Sequence, residues 1–387
     1  MIALSDRVEI LYDERIHGFG LFTKRDFTPG EVVFEDSPML ITRNEISEAY
    51  VRELKIAFEA ATEDIKTKIM ALFLPEKIMI EKHPKFLAAK EYASLVSSGD
   101  EATINLLTKL ILIVEFNGVE YKGATKAVFE NHARINHSCS PNASFYEGTL
   151  RAIQHIPSGF PITISYLPNH TMMSSSRIRQ KKLLDSYHFL CECPRCDNMI
   201  DLCRTFKCPK CQNDSSVVWG FVDRPPTEDW ISTCTSCFEA YTADRLPLMA
   251  ELEIEDVIVK ILDERCSDEG RTDRALAVVV KNLHSRVVEE LGGSHWTAAA
   301  LMDLHYRFDP TVTGFDMALW GEASAEWLLL AIPTAPYLSG MKTYSLGSGL
   351  VNSRQRMLEM TGMRCWHKCF AFCRAFWGGE HEVVQVK

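Results

Sequence analysis

Eight of the chain's thirteen cysteines cluster, at 139, 191, 193 and 196 and at 208, 211, 234 and 237, and seven of them have the spacing of metal ligands. Cys208-Pro-Lys-Cys211 and Cys234-Thr-Ser-Cys237 are Cys-x-x-Cys pairs separated by 22 residues, the arrangement of a zinc ribbon. Zinc at a structural site takes four thiolates in a closed tetrahedron, and a two-residue spacing lets one turn supply two of them. Cys191, Cys193 and Cys196 begin another such site but offer only three ligands, so a fourth must come from elsewhere, with Cys203 nearby. Asp6, Glu9, Asp13 and Glu14 rule out reading the first twenty residues as a signal peptide or mitochondrial presequence. Without a secretory signal, these pairs read as ligands rather than disulfides. Cys365, Cys369 and Cys373 recur every four residues on one helical face and read as core thiols.

The elements around these residues alternate in kind. Residues 7–42 read as short strands: Val8, Ile10 and Tyr12 alternate, and His17-Gly18-Phe19-Gly20 and Pro29-Gly30 mark turns. Residues 45–115 switch to helical spacing, broken at Pro75, His83-Pro84 and Ser97-Ser98-Gly99-Asp100 into three or four helices. Strands return at Ala143–Tyr146, Leu150–Ile153 and Pro161–Tyr166, and the cysteine-rich stretch follows. From about residue 245 the spacing is helical again, as in Leu276, Val279, Val280, Leu283 and Val287. One further helix carries Trp296, Leu301, Leu304 and His305, and others are expected over about 316–331 and 349–377, with no clean repeat of about 34 residues.

Composition excludes several classes. In 387 residues, 46% are apolar and 24% charged, which is globular rather than disordered or coiled-coil. That length suggests two or three domains. No run approaches the roughly 18 apolar residues of a membrane-spanning helix. A net charge of −10 argues against binding bare nucleic acid. The charge is uneven: 177–210 holds 8 bases and 4 acids, whereas 239–387 holds 21 acids and 15 bases, a contrast that could suit a basic peptide partner. Membrane attachment is not expected, and the expected location is cytoplasmic, nuclear or both.

The motif Asn136-His137-Ser138-Cys139-Ser140-Pro141-Asn142, with Gly18-Phe19-Gly20 upstream and Tyr166 ending a strand downstream, resembles that of SET-domain proteins. Tyr187-His188-Phe189-Leu190-Cys191-Glu192-Cys193-Pro194-Arg195-Cys196 looks like the post-SET element of the SMYD-like branch, with helices after it. The resemblance implies an α+β fold: a SET-domain β-fold of small sheets with a pseudoknot, a helical insert, a zinc-bound post-SET segment and an α-helical, TPR-like C-terminal domain. The corresponding parts are 1–44 and 116–176 for SET, 45–115 for the insert, 177–200 for post-SET, 201–240 for a zinc-ribbon-like segment and 245–387 for the helical domain. Three features depart from the family. Residues 23–138 contain no cysteine, so no MYND zinc finger is present. Gly159-Phe160-Pro161 stands where relatives carry an acidic pair, and Ser176-Arg177-Ile178-Arg179 stands where they often carry Glu-Arg-Arg.

What the resemblance implies is methyl transfer from S-adenosylmethionine to a lysine ε-amine of a protein, histone or otherwise. Cys139 becomes the fourth ligand of the zinc at Cys191, Cys193 and Cys196, and a second zinc sits at Cys208, Cys211, Cys234 and Cys237. Tyr166 and Tyr187 are the catalytic residues, with Tyr187 lining the lysine channel. His17, Gly18, Phe19, Gly20, Asn117, Asn136, His137, Tyr166 and Phe189 bind the cofactor. The chemistry suits tyrosine, because its ring attracts a cation and its hydroxyl orients an amine without adding a full charge. Two alternatives stand beside this reading: a SET-fold adaptor that does not methylate lysine, and a SET scaffold redirected to a small molecule. The expected partner is a lysine-bearing protein or peptide, without nucleic acid, and the chain is expected to be a monomer.

Overall fold

The computed structural model describes residues 6–14, 18–79, 83–123, 125–212, 217–221, 231–265, 273–309, 311–312, 320, 323–324, 327–328 and 330–332. The chain divides into two compact units, one of residues 1–137 and 141–164, the other of residues 138–140 and 165–387.

The first unit opens with strands β1 (Val8–Asp13) and β2 (Gly18–Thr23), an antiparallel pair running from Val8 opposite Thr23 to Asp13 opposite Gly18. Strands β3 (Val32–Glu35) and β4 (Pro38–Arg43) follow, and then helices α1 (Glu48–Ala60), α2 (Glu63–Met70), α3 (Pro84–Val96) and α4 (Glu101–Asn117). Each helix starts where a side chain can take an orphaned amide of the first turn. Ser47, Thr62, His83 and Asp100 accept the N–H of Tyr50, Ile65, Lys85 and Thr103 respectively. Pro84 occupies the first turn of α3, where its missing N–H costs nothing. Tyr50, Leu54, Ile69, Leu110 and Ile113 are buried together as the core of these helices.

The remaining strands are β5 (Gly118–Tyr121), β6 (Thr125–Phe129), β7 (Asn136–His137), β8 (Ala143–Tyr146), β9 (Thr149–Ala152) and β10 (Thr163–Ile164). They complete two three-stranded sheets, in the orders β3-β9-β8 and β4-β6-β5, while β7 and β10 pair in parallel. The strand expected over Pro161–Tyr166 is therefore shorter than its sequence pattern. It stops because Ser165 Oγ accepts the Leu167 N–H at 3.1 Å and donates to Leu167 O at 2.9 Å, offering the backbone a local turn in place of a ladder.

The second unit contains α5 (Asn169–Met172), α6 (Ser176–Tyr187), α7 (Pro194–Asp197), β11 (Ile200–Lys207), β12 (Val217–Phe221), β13 (Ser232–Thr233), β14 (Ala240–Tyr241), α8 (Leu248–Arg265), α9 (Arg274–Glu290) and α10 (Trp296–Phe308). Strand β11 is the element that sequence reading misses. It has no alternation to read, because Cys203, Arg204, Thr205 and Phe206 are buried in succession, and its register against β12 shifts between Asp201 and Thr205. Helix α10 packs on α9 and α8, and helical positions resume at Trp320, Ala323, Ser324, Trp327, Leu328, Leu330 and Ala331. The helix expected over 349–377, with Cys365, Cys369 and Cys373, lies outside the described residues. Among the described residues no helix is long and apolar enough to cross a membrane.

The bases of 177–210 and the acids that follow them, whose contrast could suit a basic peptide, are largely paired with one another inside their own unit. Arg177 pairs with Glu255 at 2.6 Å and Asp256 at 3.4 Å, Lys182 with Asp263, Arg204 with Glu251 at 2.6 Å, and Lys210 with Glu239 at 2.6 Å. Three of these four bases bind the acidic face of α8.

Candidate functional site

Cys139, Cys191, Cys193 and Cys196 place their sulfurs within 4.8 Å of one another, a tetrad able to hold a metal ion. This decides between the candidate fourth ligands. Cys203 lies outside the group, and its Sγ accepts Arg195 Nη2 at 3.2 Å. The surrounding chain presents the sulfurs through two devices. The Gln180 amide grips Cys191, donating to its carbonyl at 2.6 Å and accepting its N–H at 2.8 Å. Cys196 and Asp197 both donate their N–H to Cys193 O at 2.9 Å, closing the turn that starts α7. Crowding separates the thiols: hydrogen bonds from Cys139, Cys191 and Cys196 hold Cys193 well below its ordinary value, while Cys191, Cys193 and Cys196 drive Cys139 up.

The second tetrad, Cys208, Cys211, Cys234 and Cys237, meets a sharper geometric test. Zinc–sulfur bonds of about 2.3 Å in a tetrahedron give sulfur–sulfur edges of about 3.8 Å. Cys208 and Cys237 are 3.6 Å apart, and Cys211 and Cys234 are 3.9 Å apart. Disulfides need about 2.05 Å, so these are separate thiols. The Cys211 and Ser236 amides point at Cys208 Sγ (3.5 Å) and Cys234 Sγ (3.4 Å), and the buried Tyr241 hydroxyl lies 3.0 Å from Cys208 Sγ. Polar hydrogens aimed at sulfur favour the thiolate and orient it.

In the same unit, Tyr166, Tyr187 and Phe189 form an aromatic cluster. Ring centroids are 5.0 Å apart for Tyr166 and Tyr187, 6.4 Å for Tyr166 and Phe189, and 6.5 Å for Tyr187 and Phe189. The Tyr187 hydroxyl donates to Tyr166 O at 3.4 Å. Helix α6 ends at His188, whose left-handed φ of 64° reverses the chain and turns Phe189 back toward the tyrosines. Burial, and then the proximity of Tyr187, push the Tyr166 hydroxyl well above its ordinary value, so it remains a neutral donor.

In the first unit, Gly18, Phe19 and Gly20 lie in β2, and Asn136 and His137 form β7. The Asn136 Nδ2 donates to Phe19 O at 3.1 Å. Gly20 makes that contact possible, because a Cβ there would lie 2.6 Å from Asn136 Nδ2. Gly20→Ala is therefore expected to destabilise the fold by about 1–3 kcal/mol, and Asn136→Ala to remove most of that penalty. A urea-denaturation double-mutant cycle checks this, and strictly additive losses would refute it. His17 lies outside the described residues. Asn117 ends α4, and its Nδ2 donates to Phe73 O and Ile113 O, both at 2.8 Å, tying a loop to the end of that helix.

A third buried group was absent from the sequence reading: Glu251, Glu255 and His295. Its signal is visible in retrospect, since the glutamates stand four apart in the face of α8 that carries Ile254, Ile258 and Leu262. Arg204 grips both oxygens of Glu251 at 2.7 and 2.6 Å, with His295 Nε2 3.1 Å from Oε1. Glu255 takes Trp296 Nε1 at 2.7 Å and Arg177 at 2.8 and 2.6 Å. Every carboxylate oxygen already has a donor, so this is an ionic brace rather than a cation site. Burial alone would raise Glu251, but hydrogen bonds from Arg204 and His295 hold it down at about 2, against an ordinary 4.5. The stabilisation from that depression is complete above pH 4.5 and disappears as pH falls toward 2. Acid titration of Glu251→Gln should therefore show a shallower loss of stability than wild type across that window; equal slopes would refute the brace.

A family model for the SET domain matches residues 18–167. Over 155 residues the chain is 32% identical to N-lysine methyltransferase SMYD2 of Homo sapiens, covering 31% of this chain and 35% of that protein. Over 112 residues it is 37% identical to histone-lysine N-methyltransferase ASHR1 of Arabidopsis thaliana, covering 27% and 22%. Over 73 residues it is 40% identical to histone-lysine N-methyltransferase SMYD3 of Mus musculus, covering 18% and 16%. The match thus spans about a third of SMYD2 and less of the other two. Among solved structures, Rubisco LSMT bound to AdoMet superposes with a TM-score of 0.34 at 13% identity, covering 99% of this chain and 86% of that one, too slight a likeness to add weight. Residues 18–167, with the Asn136–Cys139 motif inside them, thus match the SET domain, and over part of its length the chain is similar to the methyltransferases SMYD2 and SMYD3.

Proposed function

We propose that the chain methylates a lysine side chain of a protein substrate, using S-adenosylmethionine, and that both cysteine tetrads hold zinc. The observation that carries the reading is the Tyr166–Tyr187–Phe189 cluster, which the family motifs flank on both sides. S-adenosylmethionine would supply an activated methyl on a sulfonium, so the protein is left with binding, alignment and exclusion of water. Gly18–Gly20 would offer backbone hydrogen bonds, where glycine permits close approach. Asn136 and His137 would add polar contacts, and Phe189 a flat apolar face.

The lysine amine reacts only when neutral, and its ordinary pKa is about 10.4. An apolar aromatic lining lowers that value by penalising the charged form. The Tyr166 hydroxyl, held protonated by its surroundings, can orient the amine without abstracting a proton. Zinc at the first tetrad would bind Cys139 of the SET motif to Cys191, Cys193 and Cys196 of the post-SET segment, making metal binding part of folding.

The test is incubation of the zinc-loaded chain with methyl-labelled S-adenosylmethionine and cell extract. Labelled methyl-lysine in hydrolysed protein is the expected result. Cofactor binding by calorimetry with no labelled methyl-lysine would replace the proposal with the adaptor reading.

A further inference from the structure

Arg179 is wholly buried in α6, an unusual position for a guanidinium. It donates to Ser174 O, its Nη2 lies 3.9 Å from Cys196 Sγ, and its Nε has no hydrogen-bond partner among the described residues. Arg195 reaches the same place from α7. Its Nη1 donates to Met172 O at 2.8 Å and Cys139 O at 3.3 Å, and its Nη2 to Cys203 Sγ at 3.2 Å.

Among the described residues, the fixed anions nearby are too few for these cations. Asp201 is buried, and its carboxylate accepts the Ser176 and Cys203 amides at 2.5 and 3.1 Å. Arg179, Arg195 and Arg204 all hold Asp201 in its charged form against burial. Arg204 is already matched by Glu251 and Arg177 by Glu255. Two guanidinium groups are therefore left to share one carboxylate. If all four thiols of the first tetrad were protonated, the locality would carry a surplus buried positive charge, which is strongly unfavourable. A zinc ion bound to four thiolates expels four protons and leaves a complex of charge −2. That complex supplies the missing negative charge.

We infer that Arg179, with Arg195 beside it, is the buried counter-cation of the zinc–tetrathiolate complex and sets how tightly zinc is held there. The inference rests on the proposal that the first tetrad binds zinc. It assigns Arg179 a positioning role toward the metal and no contact with substrate. Asp201 competes with the thiolates for the same guanidinium, so removing its charge should act in the opposite direction.

The experiment is zinc release from the purified full chain to a chromogenic chelator, with the phase lost in Cys193→Ser assigned to the first tetrad. Arg179→Met should accelerate that phase at least tenfold and Arg179→Lys less, while the second tetrad's phase is unchanged. Arg177→Met, in the same helix but paired with Glu255, should leave the rate within twofold. Asp201→Asn, which removes the charge and keeps an acceptor for one of the two amides, should slow release. Faster release from Asp201→Asn would mean a packing role only and overturn the inference, as would wild-type release from folded Arg179→Met. If Arg179→Met does not fold, the Asp201→Asn rate decides alone. Wild-type chain with no zinc phase lost in Cys193→Ser would instead overturn the underlying zinc proposal.

Discussion

Tyr166→Phe is expected to slow methyl transfer by about two to three orders of magnitude while leaving S-adenosylmethionine affinity nearly unchanged. A hydroxyl that orients the amine exerts its effect chiefly in the reacting complex, so its loss falls on the rate of transfer. The magnitude follows from removal of one well-placed donor, worth about 2–4 kcal/mol of transition-state stabilisation. The ring remains, so the contacts with Tyr187 and Phe189, at centroid distances of 5.0 and 6.4 Å, should persist. The Tyr187 hydrogen bond should persist too, because it is accepted by the backbone carbonyl of Tyr166. Single-turnover rates of wild type and mutant, with calorimetric cofactor affinity and melting temperature, make the check. Equal rates would remove Tyr166 from the mechanism. A loss of cofactor affinity in proportion to rate would make it a binding residue instead.

Parts that local chemistry writes into the sequence were legible there. The breaks at His83-Pro84 and Ser97–Asp100 mark where α3 and α4 begin, and Cys-x-x-Cys spacing marks a ligand turn. Pairings between distant residues were not. Nothing near Cys191 in sequence selects Cys139 over the much closer Cys203; only the folded position of Cys139 does so. The family motif supplied that answer in place of physics. Strand β11 escaped because Cys203–Phe206 are buried in succession and Arg204 is buried in an ion pair with Glu251, which removes the alternation that reveals a strand. The pairing of the basic stretch 177–210 with Glu251, Glu255, Asp256 and Asp263 was hidden because those acids lie many residues away on α8.

Loss of zinc from the first tetrad should have the larger effect on structure. Structural zinc contributes on the order of 10–16 kcal/mol of apparent binding energy, comparable with the whole stability of a domain. Cys193→Ser, or chelation, leaves crowded buried thiols beside Arg179 and releases Cys139 from the three post-SET cysteines. The second unit should therefore lose cooperative structure around α6, α7 and β11, and methyl transfer should vanish with it. The first unit contains no cysteine, since Cys139 belongs to the second, so the amides of α1–α4 should keep their protection. Hydrogen exchange before and after chelation separates the two outcomes, alongside elemental analysis giving two zinc ions per wild-type chain, one for each tetrad. Fewer than about one zinc per chain, or full protection of α6 and β11 after the metal is removed, would refute a folding role for the tetrad. Uniform loss of protection through α1–α4 would show instead that the metal's stabilisation reaches the whole chain, and that the cysteine-free unit does not fold without it.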